Sequence, residues 1–180
     1  FLDLGRQAIV VSAGGITRSA LLAGLVAGRA GGDWSGTVGI GSSAARAATA
    51  QGVQRTVGWV EQGDRSLLIS YAAAGDTNLD GLVDILDVSD LLSAAQFGSG
   101  QPATWATGDF TFDGVFDILD LGEFAGTALF NQASYLQGVD LQATGGVAVV
   151  PEPGAAAVIA AGVGTVMWFA RALALGRRLS

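Results

Sequence analysis

The chain has 180 residues, half of them apolar, with a formal net charge of -7 and no lysine, histidine or cysteine. Half apolar suffices for a core in one domain or two small ones, while the missing cysteine excludes disulfides, thiolate metal sites and a thiol nucleophile. The missing histidine excludes the usual zinc ligand and a serine-histidine-acid triad, and a chain with no arginine between residues 76 and 123 offers no basic patch for nucleic acid.

Residues 1–73 are mixed and glycine-rich. The chain begins at Phe1 without a signal-peptide pattern, and it reads as the C-terminal piece of a longer precursor, with 1–73 the end of a longer extracellular region. "DLGRQAIVVSAGG" predicts a strand over 8–11, and "TRSALLAGLVAGRAGG" predicts a helix stopped by Gly31 and Gly32. "RTVGWVEQGDRSLLISY" predicts a hairpin, 56–60 against 67–71, turning at Gln62-Gly63-Asp64. Gly39, Gly41 and Ala44 fit G-x-G-x-x-A, with Asp64 twenty residues beyond. Only Thr37 and Val38 separate that motif from the turn-like "GGDWSG", too little for a buried first strand, so it reads as a glycine-rich loop entering an alanine-rich helix.

Residues 75–130 contain an internal repeat. "GDTNLDGLVDILDVSDLL" and "GDFTFDGVFDILDLGEFA" align without a gap at an offset of 33 residues. Ten of the 16 acidic residues lie between Asp76 and Glu123, and such crowding opposes a compact state unless a cation neutralises it. Counted from Asp76, the first copy places Asp76, Asn78 and Asp80 at alternate positions, glycine sixth, Leu82 seventh, Asp84 ninth and Asp87 twelfth. This is the spacing of a calcium loop, with aspartate closing it in place of glutamate. Calcium takes six to eight oxygens, which alternate side chains and one backbone carbonyl, that of Leu82, can supply around a sharp turn at glycine.

The second copy offers Asp109, Thr111, Asp113, Val115 (through its carbonyl), Asp117 and Asp120. Thr111 supplies a neutral hydroxyl where the first copy has an amide, so the second of the two Ca2+ sites is expected to be weaker or to keep an extra water. Each loop leads into an apolar stripe at helical spacing, Ile85, Val88, Leu91, Leu92, Ala95 and Ile118, Leu121, Phe124, Ala125, Ala128. No helix is expected before either loop. The two half-hands can bury their helix faces on each other, with Val83 and Phe116 near a pseudo-two-fold axis. Trp105, between the copies, reads as a core or linker anchor. The competing reading of the repeat is a solvated acidic surface on two ordinary helices.

Repeats of the form Gly-Asp-x-Asn-x-Asp-Gly-x-x-Asp-x-x-Asp-Leu resemble the dockerin type I family, over residues 75 to about 130. The resemblance implies calcium in both loops, near two-fold packing, and attachment of secreted polysaccharide-degrading enzymes to cohesin modules. At the tenth and eleventh loop places, where cellulosomal members carry small polar residues, this chain has Ile85-Leu86 and Ile118-Leu119. These pairs are expected either to meet a cohesin-like partner or to be buried against 1–73.

Residues 131–153 read as a linker containing Pro151-Glu152-Pro153. Beyond it, 154–178 reads as a transmembrane sorting helix with a basic end, crossing the membrane through 154–176. Ala155 to Ala170 carries no charge and spans about 24 Å as helix, which continuation past Arg171 extends toward a core of about 30 Å. Arg177 and Arg178 then keep the C-terminus cytoplasmic and the acidic loops outside the cytoplasm. This arrangement resembles the PEP-CTERM sorting signal. It implies export in a Gram-negative bacterium, processing at Pro151–Pro153 by an exosortase-type enzyme, and passage through the inner membrane to the envelope, surface or extracellular matrix. The layout is similar to the tails of exported planctomycete-type proteins.

The expected fold class is therefore α+β: a small mixed N-terminal segment, a pair of calcium loop-helix units, and a single C-terminal transmembrane helix. The expected function is a non-catalytic calcium-binding module mediating attachment. The alternatives are the tail of a secreted polysaccharide-degrading enzyme whose catalytic domain lies upstream, and a structural cap without a partner.

Overall fold

In the computed structural model, residues 1–137 are described. Alternating β-branched and apolar residues build a three-stranded antiparallel sheet from β2 (Ala8–Val11), β4 (Thr56–Glu61) and β5 (Leu67–Ala72). The order is β2-β5-β4, with Ile69 of the central strand opposite both Ile9 and Trp59. Leu67, Ile69 and Tyr71 of β5 turn inward, as a period of two dictates. The hairpin turn is held where Gln62 N donates to Ser66 O and Asp64 Oδ1 accepts from Ser66 N.

A second, minimal sheet pairs β1 (Leu2–Asp3) in parallel with β3 (Ile40–Gly41), the latter inside the glycine-rich motif. Between them runs α1 (Arg18–Arg29), capped by the Thr17 side chain and ended by left-handed Ala30 and Gly31. After β3 comes the short helix α2 (Ser43–Thr49), capped by Ser42. The repeat contributes α3 (Ile85–Ala94) and α4 (Ile118–Gly126), each directly after its loop. A single 3-10 turn, Trp105–Thr107, lies between the two copies. The chain leading into the first loop is strand and turn, and that leading into the second is the 3-10 turn, with no α-helix before either.

Residues 1–73 and 75–130 share one core. Trp105 is fully buried, stacked on Phe112 (6.1 Å, 24°) and edge-on to Phe110 (5.0 Å), while Phe112 meets Trp34 from the N-terminal segment. Only a glycine fits at position 58 of β4, since a Cβ there would stand 2.7 Å from the Trp105 indole. Arg29 of α1 pairs with Glu123 of α4 at 2.6 Å. Val83 and Phe116 are buried, but α3 and α4 leave an apolar groove of about 360 Å3 between them, lined by Val88, Leu91, Leu121 and Phe124. The face of α3 packs on the Trp105–Thr107 turn, and Phe124 of α4 stands edge-on to Phe130 at 6.4 Å.

The fold-class expectation is corrected in one respect. The architecture is a small α+β mix with four helices among the described residues, and none of these is long and apolar enough to cross a membrane. The longest, α1, has 12 residues, about 18 Å against a hydrocarbon thickness of about 30 Å. The single C-terminal transmembrane helix is thus no part of the observed fold. The segment expected to form it, 154–178, lies outside the described residues, as does Pro151-Glu152-Pro153. Residues 131–137, counted with the linker in the sequence, are docked on the first loop.

Candidate functional site

The two acidic loops follow one backbone path. Gly75 and Gly108 have φ of +99° and +109°, Leu79 and Phe112 +62° and +64°, Gly81 and Gly114 +86° and +92°. Two bulky residues held left-handed at the fourth place cost about 1–2 kcal/mol each. Coiling this tight returns the chain on itself and brings the first and twelfth residues together.

In the first loop, Asp76 Oδ2 accepts from Gly81 N (2.9 Å) and Oδ1 from Asp80 N (3.2 Å). Asp87 Oδ1 accepts from Thr77 N (2.8 Å) and Oδ2 from Asp84 N (2.8 Å). The second loop repeats this wiring: Asp109 Oδ2 with Gly114 N (3.1 Å), Asp120 Oδ1 with Phe110 N (2.8 Å) and Thr111 N (2.9 Å), Asp120 Oδ2 with Asp117 N (2.9 Å). Asp80 and Asp113 each close a local turn to the seventh residue, Leu82 N and Val115 N, and Asn78 Oδ1 accepts from Asp80 N.

The ninth-place residues do something else as well. Asp84 and Asp117 are the N-caps of α3 and α4, accepting from Leu86 N and Leu119 N, each in a capping box with the twelfth residue. Oδ1 of each is thereby taken up at the helix start, at the rim of the loops.

Four carboxylates are at most 1 % exposed: Asp76, Asp87, Asp109 and Asp120. Aspartate is rarely buried without a countercharge. The ion pairs among the described residues, Arg18–Glu61 and Arg29–Glu123, leave all four out. Burial pushes Asp76 up to about 6, with the charges of Asp87 and Asp80 adding to it against the bonds from Tyr135 and Gly81. Burial pushes Asp109 up to about 7, reinforced by Asp120 and Asp113. Asp76 thus shares a field with Asp80 and Asp87, and Asp109 with Asp113 and Asp120.

Among the described residues no group of three or more carboxylates is gathered closely enough to hold a metal ion as it stands. Most of their oxygens are turned to backbone amides. Two oxygens are not: Asp109 Oδ1 and Thr111 Oγ1, at the first and third places of the second loop, are buried with no hydrogen-bond partner. An unsatisfied buried acceptor costs about 1–3 kcal/mol. Two of them two residues apart, one a carboxylate and both oxygen, fit a hard oxygen-seeking cation.

The residue missed in the sequence is Tyr135, whose hydroxyl donates to Asp76 Oδ2 at 2.5 Å from 59 positions away. Trp105, read only as an anchor, also donates Nε1–H to the Asp76 carbonyl at 2.7 Å. The apolar pairs at the tenth and eleventh places are exposed, Ile85 (66 %), Leu86 (60 %), Ile118 (69 %) and Leu119 (61 %), as are the ligand candidates Asn78, Asp80 and Asp113, so the pairs are not buried against residues 1–73. Compared with known proteins, the chain matches no protein-family model, no curated protein sequence and no solved structure.

Proposed function

We propose that residues 75–130 are a non-catalytic, dockerin-like calcium module that attaches an exported protein to a partner at the cell envelope. In the first loop Asp76, Asn78, Asp80, the Leu82 carbonyl, Asp84 and Asp87 would hold the ion; in the second, Asp109, Thr111, Asp113, the Val115 carbonyl, Asp117 and Asp120. Bound calcium supplies the positive charge that four buried carboxylates lack. The observation that carries this reading is the orphaned oxygen pair of Asp109 and Thr111 inside a loop built on the same path as its twin.

Loops of this kind suit an exported protein, because calcium is plentiful outside the cytoplasm and sites of modest affinity fill there. Attachment is supported by the apolar pairs Ile85-Leu86 and Ile118-Leu119, exposed at matching places of the two units. A cohesin-like protein with an apolar contact face is the partner that suits them.

The experiment is thermal melting of the full chain, followed by circular dichroism, in chelator and in millimolar calcium. Calcium is expected to raise the melting temperature, with calorimetry giving two ions per chain. Superimposable curves would overturn the proposal. For attachment, Ile85→Asp together with Ile118→Asp is expected to abolish calcium-dependent binding to a cohesin-type domain while leaving calcium uptake unchanged.

A further inference from the structure

Residues 131–137 fold back over the first loop as residues 98–103 do over the second, where Gly98 N donates to Phe116 O (2.9 Å) and Ala103 N to Gly114 O (2.8 Å). The difference is that Pro102 stands where the first copy has Tyr135, so the second segment brings no hydroxyl to its loop. Asn131 N donates to Val83 O (2.8 Å) and Tyr135 N to Gly81 O (3.2 Å), so the segment takes the carbonyls on either side of Leu82 and leaves that of Leu82 itself. Leu136 lies against Gly81, filling the place a Cβ would occupy. The Tyr135 ring is packed on Tyr71 (6.2 Å between centroids) under the Arg55 guanidinium, and Arg6 Nη2 donates to the Tyr135 carbonyl at 3.2 Å. The phenol of this anchored ring reaches Asp76 Oδ2.

The consequence is an asymmetry between two otherwise matching carboxylates. Asp76 Oδ2 has two donors, Gly81 N–H and Tyr135 O–H, and Asp76 Oδ1 keeps only a long 3.2 Å contact. Asp109 Oδ2 has Gly114 N–H alone, and Gly114 faces open space where Gly81 faces Leu136. A carboxylate with one oxygen fixed from two directions presents the other at a fixed angle, which is how groups behind a metal ligand set its geometry.

We infer that Tyr135 is a positioning residue of the first loop: its phenol clamps one oxygen of Asp76 so that the other is presented to the cation, and it links ion uptake there to the docking of residues 131–137. This rests on the calcium reading of the loops. Because linkage is reciprocal, an ion in the first loop also tightens the segment.

The test uses the full chain, with calcium as the titrant and the amide signals of Gly81 and Gly114 followed by nuclear magnetic resonance. Each amide donates to the first carboxylate of its own loop, so each reports on one loop. Tyr135→Phe is expected to weaken the Gly81 midpoint about tenfold or more and leave that of Gly114 unchanged. Leu136→Ala loosens the segment but keeps the phenol, so through the linkage it should weaken the Gly81 midpoint clearly less than Tyr135→Phe does. In the unaltered chain, calcium should slow hydrogen exchange of the Tyr135 amide. A Tyr135→Phe chain with the original Gly81 midpoint overturns the inference, as does an equal loss in Leu136→Ala, which would make the segment mere packing. If neither glycine responds to calcium in the unaltered chain, the calcium reading fails first and takes this one with it.

Discussion

The indole of Trp105 donates its N–H to the backbone carbonyl of Asp76 across 2.7 Å, joining the turn between the repeats to the first residue of the first loop. The same ring packs against Phe110 and Phe112 of the second loop. Trp105→Phe should retain most of the packing but strand a buried carbonyl, costing about 1–3 kcal/mol. Trp105→Ala should cost about 3–5 kcal/mol because a cavity opens as well. Both are read from urea unfolding midpoints, with the slope unchanged if the unfolded state is unaffected.

Stability should depend on pH in opposite senses with and without calcium. Asp76 and Asp109 sit at about 6 and about 7 in the folded chain, above the ordinary 3.8, so folding binds protons in that interval. Their contribution favours the fold at low pH and is lost as pH rises through about 6 and then about 7. In calcium-free buffer the melting temperature should therefore be higher at about pH 5 than at about pH 8. Saturating calcium competes with those protons and should reverse the order. Melts at the two pH values, with and without the ion, check both halves.

Asp109→Asn separates charge from shape. Removing the carboxylate that Asp120 and Asp113 oppose should raise the melting temperature of the calcium-free chain and abolish the gain on calcium addition at the second loop. An ordinary structural lesion would lower the first value instead.

The sixth-place glycines should respond unequally to alanine. Both are left-handed, so each substitution costs about 1–2 kcal/mol for the backbone alone. At Gly114 the new methyl meets nothing within 4 Å, whereas at Gly81 it stands 2.6 Å from Leu136 Cδ1. Gly81→Ala should therefore be the more destabilising in chemical denaturation, and it alone should loosen residues 131–137.

Local patterns were readable where a period or a spacing carries them. Leu67, Ile69 and Tyr71 alternate, and β5 forms where they do; the apolar stripes after Asp84 and Asp117 become α3 and α4. The spacing Asp-x-x-Asp at 84–87 and 117–120 also announces a capping box, a role that counting ligands alone overlooks. Long-range packing leaves no such trace. Nothing in "GDWSG" or "PATWATG" says that Trp34 and Trp105 meet through Phe112, and a lone tyrosine in "NQASYLQG" carries no period that would pair it with Asp76. The packing across residue 74 is another case. Composition changes there, but the aromatic cluster straddles it. The apolar run at 155–170 suggested a membrane helix by length and hydropathy; it lies outside the described residues, among which no helix is long and apolar enough to cross a membrane.

The aromatic floor under the two loops has a consequence for transplanting them. Trp105 rests in a notch that only Gly58 of β4 leaves open, and Phe112 leans on Trp34. A fragment cut at residue 74 would present those rings to water and lose the surface on which they lie. Grafted onto another host, the acidic repeats would need the preceding sheet to travel with them.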